Sequence, residues 1–356
     1  MWRRLVLAVA SSAPLVLAAQ QPSVTFGGFV DAYAAWDQGK PFFRDRAFTT
    51  QAARHAEFNI SLAYLDAILD GDRVRGRLAL QAGTSVEAGY RNEPSADSSG
   101  VLTRHIQEAV VGVRLGQGFW LDAGIFFAHV GNESWISRDN LMYTRSLIKD
   151  FSPYYASGAK FTYEWTPSLT ATAVVVNGWN NIAENNSDKS IGGRLDWTLS
   201  PRVTLAYYNM IGNEQPDSLP PRMRFYNGVS ARFALRELTL LMAVDGGRQD
   251  TVGTAHSWWG TALTARLQMT QRTTASVRVE AFEDEHQIVL RTGQPSVPFR
   301  GWGAAGGVDF EPEDGVALRT EFRMLRARDN IFLDSGSAGG FARLNMVLVT
   351  SLAVTF

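Results

Sequence analysis

The sequence predicts an all-β fold: a transmembrane antiparallel up-and-down β-barrel of about sixteen strands, with short periplasmic turns and long extracellular loops. Three observations carry this expectation. From Val24 onward, alternating apolar and polar residues recur in stretches of about ten to fifteen residues. The connections between those stretches alternate between tight turns and long polar loops. The chain also stops on MVLVTSLAVTF, residues 346–356, an alternating apolar run that ends in Phe356 without a polar tail. A strand at a sheet edge exposes unpaired backbone groups and invites aggregation. The run therefore needs a partner on each side, and closing the sheet supplies both.

Taken in chain order, residues 1–19 read as a secretory signal peptide. Arg3 and Arg4 open it, Leu5 to Leu17 are largely apolar, and Ala18-Ala19 form a small-residue exit. No later run approaches the roughly eighteen apolar residues of a membrane helix, so residues 20–356 are assigned to one barrel. Strands are expected at 24–37, 55–69, 73–88, 105–115, 118–130, 156–165, 168–178, 190–199, 202–212, 223–235, 237–248, 257–269, 272–284, 301–310, 315–327 and 343–356. Tight turns fall at 70–73, 116–118, 166–168, 200–202, 236–237, 270–272 and 312–315. Long connections fall at 38–54, 89–104, 131–155, 179–189, 213–222, 249–256, 285–300 and 328–342. The segments 168–178 and 237–248 alternate only loosely. A soluble sandwich or propeller would not need this alternation of connection lengths, and its strands would be shorter.

Each strand sorts into two faces. In GVALRTEFRML, Val316, Leu318, Thr320, Phe322 and Met324 alternate with Arg319, Glu321 and Arg323. In VRGRLALQA, Leu78 and Leu80 oppose Arg75 and Arg77. An Arg or Lys at the lipid-facing midplane costs about 2–4 kcal/mol, so the charged face points inward and the lumen is expected to be wet. Trp36, Trp179, Trp258, Trp259 and Trp302 near the long loops, with Trp165 and Trp197 near tight turns, suit two interfacial belts.

The inward charges nearly balance. The residues expected to line the pore are Arg75, Arg77, Arg114, Arg194, Glu280, Arg319, Glu321 and Arg323. They form either an electrostatic lattice that stiffens the wall or a charged filter for polar solutes. The longest connection, 131–155, holds a short helical piece around 140–149 and many apolar side chains that need a surface to pack on. It folds into the barrel, caps the rim, or makes an oligomer contact. In the first case Glu133, Trp135, Arg138, Asp139, Tyr143 and Arg145 form the constriction.

Composition narrows the function classes. The chain has 356 residues, no cysteine and a formal net charge of −1. Thiolate chemistry is excluded, and a nucleic-acid partner is not expected. All five histidines are placed at the long-loop rim. His105 and His129 lie on successive strands, which leaves a rim hydrolase as a weak alternative, testable by whether a Ser or Asp reaches either ring. No HExxH or GxSxG motif is present. The reading therefore assigns no catalytic residue, no metal site and no cofactor.

The segments GIFFAHVGNESW, NLMYTRSL and SPYYASGAKFTYEWTPSLTATAVVVNGWN resemble the outer-membrane β-barrel porins of the porin-2 family, and VTFGGFVDAYAAW and the terminal aromatic agree with it. The resemblance spans the mature chain. It implies a passive solute channel in the bacterial outer membrane and brings no catalytic residues. The expected function is diffusion of small hydrophilic solutes or ions; the alternative is a non-conducting barrel with a structural or surface-binding role. The expected partners are outer-membrane lipid, small polar solutes or ions, and the barrel assembly machinery acting through the C-terminal strand and Phe356. Assembly into a homotrimer is left open.

Overall fold

A computed structural model describes residues 21–93, 103–336 and 340–356. The signal peptide expected at 1–19 lies outside the described residues. The first fifteen strands are β1 (Ser23–Asp37), β2 (Phe58–Asp70), β3 (Val74–Ala82), β4 (Ile106–Gly116), β5 (Phe119–Phe127), β6 (Tyr155–Thr166), β7 (Leu169–Val176), β8 (Ser190–Ser200), β9 (Val203–Asn213), β10 (Met223–Leu235), β11 (Leu238–Thr251), β12 (Thr254–Gln268), β13 (Thr273–Asp284), β14 (Phe299–Glu313) and β15 (Val316–Ala327). A two-residue pair, β16 (Phe332–Leu333) and β17 (Phe341–Ala342), decorates the last long connection, and β18 (Leu344–Thr355) follows. Among the described residues, β1–β15 and β18 close into one antiparallel barrel of sixteen strands, neighbours in sequence being neighbours in the sheet.

Closure answers the problem posed by the apolar C-terminus. β18 pairs with β15 on one side and with β1 on the other, in register from Phe29 opposite Thr355 to Asp37 opposite Val347. The ladder extends to the last residue: the Gly28 amide donates to the Phe356 carbonyl at 2.8 Å, and the Phe356 amide returns a bond at 3.1 Å. Among the described residues every barrel strand has a neighbour on both sides, so the sheet has no edge strand.

The outer surface follows the two-face reading. Leu78, Leu80, Leu318 and Phe322 are exposed, while Arg319, Glu321 and Arg323 are buried inside. Trp36, Trp165, Trp197, Trp259 and Trp302 are exposed. Two expected belt members are not. Trp258 is buried in the lumen, and Trp179 packs edge-on against it and against Tyr226. Adjacent residues of a strand point to opposite faces, so Trp258 and Trp259 could never both meet lipid.

Two connections differ from expectation. The strand expected at 73–88 stops at Ala82, because Gly83 takes φ 130° and turns the chain into the short helix α1 (Thr84–Gly89). Its Val86, together with Tyr90, packs inward against Trp135. The long connection expected at 249–256 is a two-residue turn, since β11 and β12 stay paired out to Thr251 opposite Thr254 and Gly253 adopts φ 79°.

Glycine is required in β5 where it runs beside β4. Gly124 sits at φ 132°, and a Cβ there would lie 2.0 Å from the Ala109 carbonyl oxygen of β4. That neighbour is backbone and cannot swing aside. Gly124→Val is expected to cost about 3 kcal/mol or more. The check is loss of the compact, unheated band on detergent gels, where folded barrels migrate apart from boiled ones.

Candidate channel lumen and the segment that fills it

Between β5 and β6 the chain leaves the wall and runs within the barrel. The segment holds a 3₁₀ turn at Ser137–Asp139 and the short helix α2 (Leu147–Asp150), which covers only the end of the 140–149 stretch expected to be helical. A backbone away from water must find partners for its amides and carbonyls, and here the inward charges of the wall supply them. Thr144 donates its amide (2.9 Å) and its hydroxyl to Glu321 of β15. Its carbonyl and hydroxyl accept from Arg278 of β13 at 2.5 and 2.9 Å. The Leu147 amide donates to Glu280 at 2.7 Å, and Glu280 is held in turn by Arg323. Arg319 donates to the Ser137 and Asn140 carbonyls. On β1, Asp31 accepts from Ser137 (2.9 Å) and from Tyr143 (3.2 Å).

The segment is also braced from within. The Arg145 guanidinium lies 4.6 Å from the ring centre of Trp135 and 4.8 Å from that of Tyr154, and donates to Asp150, Thr50 and the Trp135 carbonyl. Glu133 accepts from the Ser146 amide and hydroxyl, and burial pushes its carboxyl upward. Among the described residues Lys149 forms no ion pair with a carboxylate; its ammonium donates to the Pro153 and Val130 carbonyls at 2.9 and 3.3 Å. Burial, with Arg145 nearby, pushes it down to about 7. Apolar packing completes the fit. Leu147 and Ile148 join a cluster with Phe282 and Phe299, while Trp135 and Ile136 meet Phe29, Leu62 and Val86, and Tyr90 stacks on Tyr155 at 4.1 Å.

Each of the sixteen barrel strands has at least one buried inward residue. The expected wet interior does not extend to where the segment packs, which is the inward-folding alternative for 131–155. Inward Val174, Val176 and Met210 are apolar because loops cover them. Water reaches the wall lower down, toward the short turns, mainly on the β3–β8 side. Above the segment lies an outer cavity of about 750 Å³ whose lining includes Phe48, Asp150, Phe151, Trp179, Arg224 and Arg291.

The structure therefore divides the expected pore residues into two groups. Glu280, Arg319, Glu321 and Arg323 point inward but are buried beneath the 131–155 segment. Arg75, Arg77 and Arg114 lie on the uncovered side: Arg75 pairs with Asp122, Arg77 with Asp66 and Glu108, and Arg114 rests over Trp120. Arg194 stands at the boundary: it pairs with Asp196 and donates to the His129 and Gly131 carbonyls at the start of the segment, at 3.0 and 2.8 Å. Of the expected constriction residues, Trp135, Tyr143 and Arg145 are buried in the packing just described and Glu133 is nearly so, whereas Arg138 and Asp139 stay exposed beside one another. The expected site residues omitted Arg278, Asp31, Thr144, α1 and Gln81, whose Oε1 accepts from the Trp135 indole at 2.9 Å. Inward charge marked the first two, but nothing in the sequence pairs Thr144 with strands more than a hundred residues away.

His129 corrects the rim placement of the histidines. It is buried inside the barrel, its Nε2 meets the Asn209 carbonyl at 2.8 Å, and burial pushes it down to about 4. His105 meets the Gln81 carbonyl. Among the described residues neither ring is hydrogen-bonded to a Ser or Asp, and no group of three metal-ligating side chains is found.

A closed, lipid-belted barrel with a charged interior defines the class as an outer-membrane porin. The chain belongs to the family described as "Putative beta-barrel porin-2, OmpL-like", whose profile matches residues 23–356. No curated protein sequence matches it. Solved structures share the fold at low identity. The outer membrane channel DcaP of Acinetobacter baumannii superposes with a TM-score of 0.65 at 11% identity, covering 94% of this chain and 97% of that one. The anion-selective porin from Comamonas acidovorans gives 0.61 at 11%, covering 94% and 100%. OmpT of Vibrio cholerae gives 0.62 at 10%, covering 96% and 99%. The protein is thus an outer-membrane β-barrel of the porin class.

Proposed function

We propose that the protein is a diffusion porin for small hydrophilic solutes, gated by the 131–155 segment, which closes the passage in the conformation described. One observation carries this reading: the segment is latched to the charged wall of β1 and β13–β15, while a wet, charged wall remains free on the other side. Displacing one segment would join the outer cavity to the wet lumen. Buried inward residues on each barrel strand favour a second reading, a barrel that does not conduct and serves a structural or surface-binding role. Swelling of liposomes containing the refolded protein separates the two. Swelling in isosmotic arabinose that falls off with larger sugars is expected of the porin; impermeability to all of them, with insertion verified, supports the closed barrel.

Two further assignments belong to this proposal. Residues 1–19 act as the export signal, which the mass of the mature N-terminus checks. Assembly as a trimer is supported by a neighbour described as a trimer form, OmpT of Vibrio cholerae, and cross-linking in detergent measures it. Delivery to the assembly machinery through the strand ending in Phe356 is likewise part of the proposal.

A further inference from the structure

The wall that the 131–155 segment leaves uncovered presents its two charge signs unequally. Asp122 is only 4% exposed and lies beneath two cations: Arg75, bound through two donors at 2.7 and 2.6 Å and 34% exposed, and Lys160 at 3.9 Å and 27% exposed. Arg77, two residues beyond Arg75 on the same face of β3, is held by Asp66 and Glu108, both more recessed than its own side chain. Arg114 is exposed and has no carboxylate partner among the described residues. The Arg75 and Arg114 guanidiniums both lie over Trp120, 4.3 and 4.8 Å from its ring centre. Those contacts keep both cations along the wall, and Arg75 commits only Nε and Nη2 to Asp122. A solute moving past β3–β6 thus meets guanidinium and ammonium groups first, with the balancing carboxylates behind them. Exposed carboxylates do occur nearby, at Asp196 and at Glu164 close to a turn, so the bias is local to this track.

We infer that Arg114, Arg75, Arg77 and Lys160 form a track that binds small multivalent anions bearing phosphate or carboxylate groups. Planar guanidinium forks with free donors suit the paired oxygens of such anions. Passage of these anions along the track rests on the channel reading, whereas binding does not.

Calorimetric titration of inorganic pyrophosphate into the folded protein in zwitterionic detergent at low salt tests the track. Saturable binding is expected, weakened about tenfold by Arg75→Gln combined with Arg114→Gln and by raised salt. Arg114→Gln alone, which breaks no ion pair, should weaken it by a smaller factor and serves if the double variant fails to fold. Arg328→Gln, in an exposed loop, should change nothing. No binding, or equal binding by wild type and folded variants, overturns the track. The salt-gradient reversal potential is read separately: silence of both the wild type and Arg278→Ala defeats the channel reading and leaves the binding result to decide the track.

Discussion

Arg278→Ala is expected to release the 131–155 segment while leaving the barrel closed. The Arg278 side chain is fully buried and binds the Thr144 carbonyl and hydroxyl, with Glu280, Glu321 and Glu133 at 3.6, 3.7 and 3.9 Å. Removing one partner of a buried charge cluster costs about 3–5 kcal/mol, because the remaining charges are left uncompensated. Arg323 still serves Glu280, but Glu321 and Glu133 would keep only neutral donors from Thr144 and Ser146. The least costly response is for the segment to leave, because the β13 ladder to β12 and β14 is made of backbone bonds that the substitution does not touch. Trypsin should then cut at Arg145 or Lys149 at least about tenfold faster, with the heat-modifiable band retained. Arg278→Lys keeps the charge but loses the fork and should fall between. Cutting at the wild-type rate would show that the latch lies elsewhere.

Docking of the same segment should strengthen as pH rises from about 7 to 10. Burial holds Lys149 at about 7, below its ordinary value of 10.5. Over that window the released segment binds a proton that the docked one has lost, so docking gains stability with rising pH, and the full cost is present below pH 7. Arg145, Asp245, Glu133 and Arg194 also act on the ammonium, but desolvation outweighs them. Lys149→Met keeps the stem and removes the buried charge. It should slow proteolysis of the segment at pH 7 and flatten its dependence on pH, an effect on the order of a few kcal/mol. A variant as pH-dependent as the wild type would place the titration on another group.

Strand order, face assignment and closure were legible because a membrane barrel writes them locally, as period-two alternation and alternating connection lengths. The loose alternation of 168–178 was legible too, though its meaning was not. Val174 and Val176 are apolar because the segment packs over them from inside, so both faces of β7 are apolar at its long-loop end. Trp258 was misplaced through neglect of the same period-two rule. The latch could not be read at all. Thr144 bonds to residues 134 and 177 positions away, and a polar side chain in a long loop looks alike whether it meets water or a buried glutamate. The end of β3 was missed because Gly83 is one glycine among 32, and only its backbone angle reveals the turn.

Single-channel recording of the full-length, refolded wild type beside Arg278→Ala, in planar bilayers under a salt gradient, tests the gated-passage account most directly. The account predicts brief, infrequent openings for the wild type and larger or longer-lived ones for the variant, with steps that scale with bulk salt. Equal silence from both, with insertion and folding verified, would contradict it and leave a closed barrel.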